Sequence, residues 1–319
     1  MNRREFLTGA GASLAALLSP EILEAADAAD GFKVFNPKRI RIEIGIGKPL
    51  RVLHLSDTHL PLMTDGEKAR PLRDRLFRER SRCWAKAERS LAEAVVYAKR
   101  ENLPILHTGD IIDFIGEANI ARAAEFAADP SVYAVAGNHE WCYFMYTRRE
   151  EQRTIQEMFR ERLDRAYRND LEVSSRVIGG VNFVGFDDWT YQVNERQDAF
   201  IRAEFAKGLP TVILCHCPFY TPKLHEDELV RHKGRLSGLI GIPPELHAKI
   251  VAANPSGEKW RTPTERTNAF FRWIAEQPNF KAVLSGHVHH YHAEPFAERV
   301  PQYVTSAHAN GFAQEVLFV

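Results

Sequence analysis

RVLHLSDTHL, residues 51–60, sets the reading of the whole chain. Arg51–Leu55 is an apolar run of strand length. It stops at Ser56-Asp57-Thr58-His59, a polar turn carrying a carboxylate and an imidazole. The same grammar recurs downstream. Leu103–Thr108 closes on Gly109-Asp110-Ile111-Ile112-Asp113, and Val132–Ala136 closes on Gly137-Asn138-His139-Glu140. Thr211–Cys215 leads into His216, and Ala282–Leu284 closes on Ser285-Gly286-His287-Val288-His289. Val181–Phe186, Val300–Ser306 and Gln314–Val319 read as further strands. Helical stretches lie between them. Arg75–Arg100 carries Leu76, Trp84, Leu91 and Val95 at helical spacing, Asn119–Ala128 is alanine-rich and halted by Pro130, and Trp141–Asp170 is rich in Arg and Glu. Strands alternating with helices predict an α/β protein, whose sites collect at the carboxyl ends of strands.

Singly, these segments say little. Asp-x-His after a strand is ordinary turn chemistry, Gly-Asp-x-x-Asp is rich in turn formers, and Asn-His serves as a cap. His287-x-His289 is a better metal signal, because alternate residues of a strand share a face. Taken in order, each behind an apolar run, the five segments resemble the signature of the calcineurin-like metallophosphoesterases, over residues 51–310.

That resemblance implies a four-layer α/β sandwich, two mixed β-sheets flanked by helices, with metals along one edge. It implies two divalent metal ions. Asp57, His59 and His289 would hold the first, Asn138, His216 and His287 the second, and Asp110 would bridge them. A mixed nitrogen and oxygen shell suits Mn, Fe or Zn better than Ca. The pair would clamp a phosphoryl group and turn a bridging water into hydroxide near neutral pH. His139 is implied to stand outside the ligand set, protonating the leaving oxygen or steadying the phosphoryl charge. Asp113 has two readings: the carboxylate that orients His139, or plain turn duty.

The implied reaction is hydrolysis of a phosphodiester, pyrophosphate or phosphomonoester bond in a small substrate, nucleotide- or lipid-linked phosphates among them. Protein phosphatases of this superfamily carry Arg-Gly directly after the second Asp of GDxxD, whereas Phe114-Ile115 stands here. Two other classes compete. A nuclease would want a basic groove, but Lys+Arg and Asp+Glu balance at 42 each, so no stable nucleic-acid partner is expected. A non-catalytic scaffold would usually have lost ligands that are all present here.

Residues 1–30 read as an address. Arg3-Arg4 precedes the apolar stretch Leu7–Leu18, and Ala26-Asp27-Ala28 fits a cleavage pattern. Arg3-Arg4-Glu5-Phe6-Leu7 resembles a twin-arginine (Tat) signal, which implies the Tat export machinery as a partner and a periplasmic or other extracytoplasmic location. Residues 31–319 then form the catalytic domain. Within it, 221–267 reads as an insertion whose cations either face solvent or cap the site, and whose apolar residues (Leu239, Ile240, Ile242, Leu246, Ile250) either pack on the domain or meet substrate. Cys215 and Cys217 read as buried small hydrophobes on the strand face opposite His216. A Cys83–Cys142 bridge is compatible with export. His54 and His107 read as core histidines.

Overall fold

The computed structural model describes residues 35–143, 149–233, 238–253 and 262–319. The signal-like segment 1–30 lies outside these residues, as do Arg235, Lys259 and Arg261 of the insertion. Among the described residues, eleven strands form two mixed sheets. The first contains β1 (Asn36–Ile42), β2 (Leu50–Leu55), β3 (Ile105–Thr108), β4 (Val132–Val135) and β11 (Phe312–Phe318), in the order β1-β11-β2-β3-β4. The second contains β5 (Val173–Ile178), β6 (Val181–Phe186), β7 (Thr211–Leu214), β8 (Phe280–Ser285), β9 (His292–Ala297) and β10 (Val300–Val304), in the order β5-β6-β7-β8-β10-β9. Within them β2, β3 and β4 run parallel, as do β6, β7, β8 and β10.

Period-two burial explains the layering. On β7, Val212 and Leu214 face the other sheet, while Ile213 and Cys215 face the outer helices. On β3, Leu106 points between the sheets and Ile105 outward. Ile42, Val52, Tyr133, Val135, Phe183 and Leu284 join the core between the sheets. The outer face of the first sheet carries α2 (Ala87–Glu101), α3 (Glu117–Ala127) and α4 (Arg149–Tyr167), and that of the second carries α5 (Glu195–Phe205) and α8 (Glu265–Ala275). This is the four-layer sandwich. Cys215 and Cys217 are buried in the outer core, and all four thiols are free.

One departure from the sequence reading matters, and one open reading is decided. The stretch 75–100 is two helices, α1 (Pro71–Cys83) and α2, broken at Trp84–Lys86. Trp84 leaves helical geometry at φ −114°, ψ 36°, and its ring turns towards the site while still packing against the edge of the core that α2 lines. The insertion carries α6 (Pro222–Arg231) and α7 (Pro244–Ala253). Its apolar residues pack on the domain: Leu239 and Ile242 are buried against Leu224 and Val304, and Ile240 bridges Phe219 through Tyr220 N–H to Ile240 O (2.8 Å) and Ile240 N–H to Pro218 O (2.9 Å).

The two sheets meet closely where β6 crosses β4. A Cβ on Gly185 would collide with Val135 Cγ1 and lie 3.0 Å from Tyr133 Oη. Gly185→Ala should therefore destabilise the fold by about 1–3 kcal/mol, since a packed interface does not yield freely. Thermal unfolding checks this, and an unchanged midpoint would show that the sheets have room there.

Candidate metal centre

Each predicted site residue stands just beyond a strand: Asp57 and His59 after β2, Asp110 and Asp113 after β3, Asn138 and His139 after β4, His216 after β7, His287 and His289 after β8. The chain must turn sharply there. Asp57, His59, Asp110, His287 and His289 all take left-handed backbone, with φ of 56°, 49°, 57°, 69° and 57°. For residues with a Cβ this costs about 1 kcal/mol each, and it persists only where neighbours over-determine it. The neighbours are visible. Asp57 N–H donates to Gly109 O (3.0 Å), His59 N–H to Asp110 O (2.9 Å), and His287 N–H to Asp57 Oδ2 (2.9 Å). Ser306 Oγ–H donates to His289 O (2.8 Å).

The side chains converge. Three overlapping sets hold their ligand atoms within 4.8 Å of one another: Asp57, His59 and His289; His59, Asp110 and His139; Asp57, Asp110 and His216. His287 Nδ1 lies 3.1 Å from His216 Nε2, and His59 Nε2 lies 3.1 Å from His289 Nε2. His216 Nε2 is 3.1 Å from Asp110 Oδ2, and His289 Nε2 is 3.2 Å from Asp57 Oδ1. Imidazole nitrogens brought tip to tip beside carboxylates form a donor set for cations. Buried acceptors support the fit: Asp57 Oδ1 and Asn138 Oδ1 receive no hydrogen bond. Asp57, His59, Asp110 and His216 are fully buried, while the His289 side chain is 37% exposed, so the cluster opens at that side.

Charge is finely balanced. Burial alone would raise Asp57 and Asp110, yet the histidines prevail: His289 and His216 hold Asp57 low, and His216, His139 and His59 hold Asp110 well below the carboxylate range. Burial presses His216 down, but Asp110 and Asp57 raise it well above the ordinary value. Burial followed by the charge of His216 drives His287 well below the ordinary value, outweighing the lift that Asp110 and Asp57 give it.

His139 donates Nδ1–H to the backbone carbonyl of Asp113 at 2.7 Å, leaving Nε2 for the cluster. The Asp113 carboxylate is 3.5 Å from that Nδ1 and is engaged elsewhere. It takes both arms of Arg80 (2.5 and 2.6 Å) and the Trp84 indole N–H (3.0 Å), and its Oδ1 stands 3.2 Å from His59 Nδ1, off the line of the N–H. Burial opposes this charge, but the Arg80 fork and His59 hold Asp113 at about 2. Orientation of His139 thus falls to the main chain of Asp113.

Other residues complete the surroundings. Glu140 is fully buried and accepts from the N–H groups of Gly137 (2.7 Å), Asp110 (2.9 Å) and Ile111 (2.8 Å) and from Tyr167 Oη (2.7 Å). Tyr191 Oη lies 3.2 Å from His287 Nε2. Asp188 accepts Cys217 N–H (2.7 Å) and is pushed up to about 7 by burial. The acidic residue after Gly-Asn-His was the available signal for Glu140. The core histidines behave as expected: His54 bonds Gln314 and Thr108, and His107 bonds Thr58. His290 and His292 turn to the α6 side, near Glu228 and Asp227.

Residues 50–291 match the family described as Calcineurin-like phosphoesterase. No curated protein matches the sequence. Among solved structures, a dimetal phosphatase from Danio rerio is 14% identical with a TM-score of 0.46, over 82% of this chain and 88% of that one. A putative 5'-nucleotidase from Staphylococcus aureus is 12% identical with a TM-score of 0.38, over 82% of this chain. A 5'-nucleotidase from Candida albicans is 11% identical with a TM-score of 0.39, over 86% of this chain. The chain spans 49% and 48% of those two nucleotidases. The family match begins at β2 and ends two residues past His289, so it takes in all five of the turns above: the chain belongs to the calcineurin-like phosphoesterase family, hydrolases that act on phosphoric esters.

Proposed function

We propose that this enzyme hydrolyses a phosphodiester or pyrophosphate bond of a small phosphorylated molecule with the help of two divalent metal ions, Mn, Fe or Zn. Asp57, His59 and His289 would hold one, Asn138, His216 and His287 the other, and Asp110 would be shared. The observation that carries this reading is the interlocking of the three Asp and His sets through Asp57, His59 and Asp110. Bound ions of this kind supply positive charge against the phosphoryl oxygens and acidify water at neutral pH.

The protein's own contributions follow from the geometry. Asp57 and Asp110 bring two negative charges into a buried site, offset by the imidazoles around them. His139 is held at Nδ1 by the Asp113 carbonyl, so a proton on Nε2 is free to pass to the leaving oxygen. Its backbone N–H donates to Asp110 Oδ1 (2.8 Å), which ties the acid to the shared carboxylate. The choice of diester over phosphoprotein rests on Phe114-Ile115 following Asp113. The twin-arginine resemblance supports export of the folded enzyme, since that route carries proteins already loaded with cofactor.

Asp110→Asn should reduce metal content and turnover together, by at least about tenfold in turnover. Metal analysis beside hydrolysis of a chromogenic diester checks this, and full metal content in the variant would remove Asp110 from the shared position. His139→Ala should keep both ions while turnover falls about 10²–10⁴-fold, the usual worth of a positioned acid. Loss of metal on that change would make His139 a ligand instead. Replacing Arg3-Arg4 with Lys-Lys should leave the precursor in the cytoplasm, read by fractionation; normal export would exclude the Tat route.

A further inference from the structure

One face of α1 is aimed at the site. Leu76 is buried with Met63 and Phe114, and Phe77 packs beside them. Arg80 follows one turn later and Trp84 one turn after that, the spacing that stacks side chains on one helical face. Both spend their hydrogen bonds on a single carboxylate. Arg80 Nε lies 2.5 Å from Asp113 Oδ2, Arg80 Nη2 2.6 Å from Oδ1, and Trp84 Nε1 3.0 Å from Oδ1. The Trp84 ring also lies flat on His59, with centroids 4.5 Å apart and planes 5° from parallel. It meets His289 at 5.6 Å and 76°. The guanidinium of Arg80 sits 5.5 Å from the Trp84 centroid, closing the group.

A helix needing only a seat on the domain would present hydrocarbon at these positions. Here the fork, the indole N–H and the stacked ring fix the position of one carboxylate and the plane of one imidazole. Asp113 Oδ1, so fixed, places its negative charge 3.2 Å from His59 Nδ1. A carboxylate there favours the proton on Nδ1 and leaves Nε2 bare towards Asp57 and Asp110, each 3.8 Å away. The carbonyl of the same residue holds His139.

We propose that Arg80 and Trp84 are the positioning residues of the site. By locking Asp113 they set which nitrogen His59 turns to the cluster and where His139 stands. The inference builds on the reading of His59 as a ligand and His139 as the acid.

The test uses the full chain with ¹⁵N-labelled histidine, and compares wild type with Arg80→Lys and Trp84→Phe. Lysine keeps the charge but loses the fork. Phenylalanine keeps the stacked ring but loses the N–H. Three readings are taken: the ring-nitrogen signals of His59 and His139 without metal, a Co²⁺ binding isotherm, and kcat and KM on a chromogenic diester. In Arg80→Lys the Nδ1–H form of His59 should lose its dominance. The tighter-held Co²⁺ should weaken about tenfold, and kcat should fall about 10–100-fold with KM changed far less, the usual scale for groups that orient ligands. Trp84→Phe should move all three readings in the same direction by less. Folded variants with wild-type nitrogen signals and isotherms would overturn the proposal, leaving Arg80 and Trp84 as helix anchors. Failure of the phosphoesterase reading itself would show as a wild-type protein without metal-dependent turnover, and the nitrogen signals and isotherms judge the positioning role even then.

Discussion

One buried carboxylate ties the catalytic edge together. Glu140 reaches back from the turn after β4 to the main chain of the turn after β3, accepting N–H bonds from Asp110, Ile111 and its own neighbour Gly137. Those turns carry Asp110, Asn138 and His139. Burial and the charge of Asp110 raise Glu140 to about 7, and the backbone donors and Tyr167 work against that rise. A buried acid beside another acid is unfavourable unless its oxygens are fully occupied, and here they are. The approach this enforces is close enough that Gly137 has no room for a side chain: Asp110 Oδ1 and the His216 ring occupy the place of its Cβ.

Around that tie the site accepts local penalties that the rest of the fold avoids. Five of the candidate ligands stand in left-handed backbone, although each carries a Cβ. Two carboxylates are buried near one another and four imidazoles are pressed into contact. The strands immediately before these turns are ordinary, with alternating side chains filling two cores. Stability is therefore supplied by the strands and spent at their ends, which is the usual location of functional strain.

This division explains what the sequence disclosed. The strand runs were legible because period-two burial needs only local pattern, and the site residues were legible because their types recur at strand ends. β1, β5 and β9 were not. β1 is an edge strand rich in Lys and Arg, β5 reads VSSRVI, and β9 contains Pro295, so none shows a clean apolar run. Arg80 and Trp84 were hidden for a different reason. Their partners lie about thirty residues or more away, and Trp84 fits the apolar spacing of a helix that in fact ends there. Long-range polar pairing leaves no periodic trace.

Asp113 shows how far a motif can be read. The sequence left Asp113 two readings, orientation of His139 or turn duty; in the structure His139 Nδ1 meets the carbonyl, while Arg80 and Trp84 hold the carboxylate beside His59. One residue thus serves two histidines through two chemically different groups. The main-chain contact depends only on the path of the turn, which the Asp113 N–H bond to Leu60 O helps to fix at 3.0 Å. The side-chain contact depends on charge and on the residues that α1 and its end bring to the carboxylate. The turn can therefore keep its hold on His139 while the carboxylate changes partners. A spacing such as Gly-Asp-x-x-Asp fixes where the second acid stands. What that acid does is decided by whatever the intervening helices bring to it.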